Sequence, residues 1–134
     1  MSSPLNFKNF GIEKMIYTND YKNQIKNNKL KPDLECNVLQ SKEDESRFNV
    51  RLNIEIGDQE FKVYDFFVNV SIIGEFETNE VDSNLVPNAI AILFPYLRSL
   101  VSDLTSKGNK KPIILPPINI NDLIKNAEVQ DIDE

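Results

Sequence analysis

No histidine occurs in the 134 residues and only one cysteine, Cys36. The commonest general base and metal ligand is therefore missing. One thiol and four glycines leave no zinc knuckle, Walker loop or Gly-rich dinucleotide turn. The carboxylates stand singly on alternating segments, or cluster at Glu43-Asp44-Glu45 and in the tail, as solvated acids do. No enzyme, cofactor or metal is expected. The residues with chemical reach are apolar: Ile113, Ile114, Leu115, Ile118 and Ile120, set among Pro112, Pro116 and Pro117. Those prolines forbid a helix and limit strand pairing. In an extended chain, three consecutive apolar residues cannot all face one side. The remainder either packs under the last helix or forms an apolar surface for another polypeptide. Burying each such side chain is worth ~1.5–3 kcal/mol.

The length and the 40% hydrophobic, 27% charged composition describe one globular domain, residues 1–127, with an acidic disordered tail over 128–134. A net charge of −6 argues against nucleic acid as a partner. The start Met-Ser-Ser-Pro-Leu-Asn lacks the basic and apolar regions of a secretory signal. No apolar stretch is read as spanning a bilayer, and the lone thiol fits a reducing compartment. A cytoplasmic protein is expected.

The elements that position the apolar segment follow from periodicity. Residues 10–18 alternate imperfectly, predicting a strand with a bulge near Lys14. Leu34, Cys36 and Val38 mark a second strand after a long polar connection. The third is clearest: Phe48, Val50, Leu52, Ile54 and Ile56 share one face, opposite Arg47, Asn49, Arg51, Asn53 and Glu55. A turn at residues 57–60 leads to a fourth strand from Phe61 to about Phe76. Its second face carries Phe67 and Ile73, which calls for a partner or a bulge. Ile90, Leu93, Leu97, Leu100, Val101 and Leu104 then follow helical spacing. Pro87 suits the first turn, Pro95 bends the helix along the sheet, and Lys107-Gly108 stops it with a left-handed glycine. Asn121 is expected to cap a short helix from Asp122 to about Ala127. The fold class is α+β: a four-stranded antiparallel sheet with a long helix and a short C-terminal helix on one face.

Several phrases resemble the SecB family of protein-export chaperones. Phe10-Gly-Ile-Glu-Lys-Met-Ile-Tyr-Thr-Asn-Asp20 is similar to its first strand, which ends Ile-Tyr-Thr-x-Asp. Pro87-Asn88 and Ile92-Leu-Phe-Pro-Tyr96 resemble its Pro-Asn-Ile-Leu-Phe-Pro-Tyr helix start. Pro117-Ile-Asn-Ile120 with Leu123-Ile124 resembles its Pro-Val-Asn-Phe-x-x-Leu-Phe ending. The likeness runs from about Phe10 to Ile124. It implies a cytoplasmic holdase that binds unfolded polypeptides, such as preproteins, without ATP. It also implies that two protomers build an eight-stranded sheet and that dimers pair through their long helices into a tetramer. Client grooves shaped by the first crossover, the post-helix loop and the second helix would here offer Ile25, Leu30, Ile113, Leu115, Ile118, Ile120, Leu123 and Ile124.

The chain also departs from that pattern. Ala89-Ile90-Ala91 adds about one helical turn. Of the acidic positions at which the family docks the export motor SecA, Asp20 matches, whereas Gln24 and Asn69 are neutral. That weakens an electrostatic docking surface. Two alternatives stay open: a SecB-like chaperone protecting the antitoxin of a toxin–antitoxin pair, and an oligomeric interaction module whose apolar surfaces are consumed by self-association.

Overall fold

A computed structural model describes residues 5–22, 29–41, 43–44, 46–78, 85–108, 111–125 and 128–131. Strands β1 (Leu5–Asn19), β2 (Asp33–Gln40), β3 (Arg47–Gly57) and β4 (Phe66–Thr78) precede helices α1 (Leu85–Ser106) and α2 (Ile120–Lys125) and a last strand, β5 (Glu128–Asp131). The sheet order is β1-β4-β3-β2-β5. The first four strands pair antiparallel, as their alternation predicts.

The period-2 pattern of β3 becomes the core. Val50, Leu52, Ile54 and Ile56 stand opposite Gly74, Ile72, Val70 and Val68 of β4, with Cys36 and Val38 beside them on β2. All of these except Gly74 are buried hydrophobics. Helix α1 covers them with Ala89, Ile90, Leu93, Leu97 and Val101, while Leu100 and Leu104 pack at the edge. At 22 residues, with an 18-residue stretch of mean hydropathy 1.4, α1 is long and apolar enough to cross a membrane, contrary to the sequence expectation. Its inner stripe is taken up by the sheet, as in the core helix of a globular protein.

Four expectations need correction. Strand β4 begins at Phe66, not Phe61, because the Asp58 carboxylate accepts the backbone N–H groups of Glu60, Lys62 and Val63 at 2.9, 2.8 and 3.0 Å. Those three bonds hold residues 58–63 as a turn and depress the Asp58 pKa. The cap of α2 is Asn119 rather than Asn121: its side-chain oxygen accepts the Asp122 N–H at 3.3 Å. Gly108 has no positive φ; it is small because a Cβ there would lie 2.3 Å from the Tyr17 hydroxyl. The acidic tail, expected to be disordered, supplies β5, because the outer edge of β2 offers it a row of backbone partners.

Strand β1 carries two register shifts, Phe7/Asn9 and Ile12/Lys14, the second at the expected bulge. There Glu13 meets Arg51 of β3 in a bidentate pair, Nε–Oε1 at 2.6 Å and Nη2–Oε2 at 3.1 Å. The Arg51 hydrogen bond lowers the Glu13 pKa, and Glu13 raises that of Arg51. The pair spans the polar face of β4 above Ser71.

Helix and sheet fit tightly at Gly74, where a Cβ would sit 2.6 Å from Leu93 Cδ2 and 2.9 Å from Phe76 Cε2. Both neighbours are buried and cannot swing away. Gly74→Ala is expected to destabilise the protein by ~1–3 kcal/mol through overpacking. Urea unfolding checks this, and an unchanged midpoint would place Leu93 elsewhere.

Candidate functional site

Residues 111–119 leave α1 as an extended strip, and Thr105 anchors it. This buried hydroxyl donates to the Val101 carbonyl at 2.8 Å and accepts the Ile113 N–H at 2.8 Å. The same oxygen thus closes the last turn of α1 and fixes where the strip begins. From that anchor the apolar residues divide. Leu115, 2% exposed, plugs into the core. Ile113, Ile118, Ile120 and Leu123 are partly buried against it. Ile114 points outward, 72% exposed. This division is what an extended backbone imposes on three consecutive apolar side chains.

Helix α2 then packs against α1 and over β2. On the other approach to β2, the end of the crossover carries Leu30, which is exposed. Its neighbours Lys29 and Lys31 line a surface cavity of about 390 Å³ with Gly57, Asp58, Val63 and Tyr64. The Tyr64 hydroxyl donates to the Lys29 carbonyl and ties the crossover to the β3–β4 turn. Val63 is an exposed apolar residue of the same cavity.

Of the sequence-derived positions, Leu30 is exposed, Ile113, Ile118, Ile120 and Leu123 are partly buried, and Leu115 is core. Ile25 falls outside the described residues, and so does the side chain of Ile124. Thr105, Val63 and Tyr64 were not anticipated. Thr105 carried a signal, as a hydroxyl four residues after Val101 in an apolar stripe. Val63 and Tyr64 fall within the strand that apolar spacing predicts from Phe61, which hides their place in the β3–β4 turn.

The polar sheet face bears on the docking positions. Asn69 is only 3% exposed, and its amide donates to Asn53 Oδ1 and the Ile54 carbonyl, both at 2.9 Å. Its side chain is spent inside the sheet. Asp20 is half-buried, and its backbone N–H donates to the Asp65 carbonyl at 2.8 Å. Gln24 lies outside the described residues. Cys36 is buried on the core face, which pushes its thiol pKa up to about 11 and leaves it unreactive. Among the described residues no His, Cys, Asp and Glu side chains cluster as a metal site.

Residues 6–131 match the family described as preprotein translocase subunit SecB. The chain belongs to the SecB family. Similar proteins include an uncharacterized protein of Methanocaldococcus jannaschii, 28% identical over 92% of this chain and 84% of that one. A protein-export protein SecB of Magnetococcus marinus is 29% identical over 72% of this chain and 64% of its own length. In fold, the chain is similar to a Mycobacterium tuberculosis SecB-like chaperone solved in complex with an antitoxin peptide. There the TM-score is 0.66 at 15% identity, covering 87% of this chain and 88% of that one. The SecB-like α+β architecture expected from the sequence is thereby established.

Thr105→Val keeps the shape of the side chain but leaves the Ile113 N–H without its acceptor. The expected loss is ~1–3 kcal/mol, with faster amide exchange at Ile113. Unchanged exchange there would mean that the strip is held by its apolar contacts alone.

Proposed function

We propose that this SecB-family protein is an ATP-independent chaperone that holds unfolded polypeptides, preproteins among them, in a soluble and translocation-competent state. The observation that carries this reading is the outward Ile114 on a strip whose backbone is fixed by Thr105 and by three prolines. Beside it, half-covered Ile113, Ile118, Ile120 and Leu123 widen the apolar surface, and Leu30 flanks β2 from the crossover. Ile25 and Ile124 complete the proposed set, with Leu115 supporting it from beneath.

A preformed strip loses little conformational entropy when a client lies on it. It offers apolar area without a directional code, so sequence selectivity is low. Each contact is weak, which lets a client leave. Several such strips in a homo-oligomer add to useful avidity. The proposed setting is the cytoplasm, where clients precede export.

A second reading concerns the client. The buried Asn69 amide cannot serve as an acidic docking group for SecA, and the similarly folded M. tuberculosis chaperone carries an antitoxin peptide. A dedicated client such as an antitoxin fits both facts, and a toxin–antitoxin pair in the neighbouring genes would favour it.

The purified protein is expected to suppress aggregation of an unfolded model client at stoichiometric ratios without nucleotide. Ile114→Asp should weaken that protection several-fold at an unchanged unfolding midpoint, because Ile114 contributes little to the core. A folded parent that gives no suppression would refute the chaperone reading. Equal protection by parent and variant would remove Ile114 from the client surface.

A further inference from the structure

Strand β5 covers only part of β2, pairing in parallel from Asn37↔Glu128 to Gln40↔Asp131. The covered half, Asn37-Val38-Leu39-Gln40, carries no charge and no proline. The uncovered half begins with Asp33 and includes Glu35. An edge strand presents a row of unpaired N–H and C=O groups that a second chain can extend, and charges along the edge are what ordinarily prevent it. Here the half with charges stands open, and the half without them is closed by the chain's own C-terminal segment. That segment brings charge of its own in Glu128 and Asp131.

The connection is equally specific. Helix α2 ends at Lys125, so two residues separate it from β5, and α2 packs on β2. A parallel strand needs a crossover to reach its partner, and the strip with α2 supplies it. The pairing is thus built into the fold and does not rest on a free tail.

We propose that β5 is an intramolecular edge strand that closes the uncharged half of β2 to a second copy of this chain. A second copy can then extend β2 at Asn37–Gln40 only by displacing β5. Client binding plays no part in this inference, so it stands or falls separately from the chaperone reading.

Alternate residues of β2 point their N–H groups away from β3. In the full chain, the outward amides among Asn37–Gln40 should be protected from hydrogen exchange. In Val129→Pro they should exchange at least about tenfold faster. Light scattering should then show a mass that rises with concentration to at least twice that of the parent. A chain ending at Ala127 should behave alike, which guards against a misfolded proline variant. Fast exchange at those amides in the unaltered protein would overturn the proposal. So would variants that lose the protection yet keep the parent mass at every concentration.

Discussion

The contact between α1 and the centre of the sheet organises everything else in this protein. Leu93 reaches down to Gly74 of β4 at a distance that leaves no room for a methyl group. Around that point Ile90, Leu97 and Val101 close over Val50, Leu52, Val70 and Ile72, all without measurable exposure. A helix set this close cannot slide without opening voids, and packed interiors resist that strongly. The far end of α1 is fixed in turn by Gly108 against Tyr17 and by Thr105 under Ile113. The start of the apolar strip is therefore dictated by helix packing, and the prolines keep the strip from folding back as a helix.

That chain of constraint explains why the surface is apolar and yet ordered. Leu115 in the core and Ile114 outside it are adjacent residues with opposite duties. The buried one holds the backbone against the domain, and this places the exposed one at a defined position. The proposed client surface would depend on this division, since loose apolar side chains would collapse on one another. The polar face of the sheet is organised differently: Arg51 with Glu13, and Asn69 with Asn53, spend their hydrogen-bonding groups on one another.

Much of this was legible from residue order. The alternation of β3, the bulge in β1 and the stripe of α1 are physical periodicities, and each appears where the pattern puts it. What escaped depended on side chains acting on distant or irregular backbone. Asp58 captures three amides and delays β4 to Phe66, which apolar spacing cannot reveal. Asn119 rather than Asn121 caps α2, two chemically equal choices two residues apart. Strand β5 was hidden because acidic composition reads as disorder, whereas an uncovered edge such as that of β2 recruits strands by backbone bonding alone. Within the strip, the sequence could say that Ile113, Ile114 and Leu115 must diverge, but not which one turns outward.

The central claim is the proposal that the strip from Ile113 to Leu123, together with Leu30, receives unfolded polypeptide. Amide exchange of the native protein with and without an unfolded model client tests it most directly. The account predicts slower exchange along residues 111–123 and near Leu30 when client is bound, with the polar face around Arg51 and Asn69 unchanged. Protection confined to that polar face, or no change anywhere while the client is bound, would contradict it.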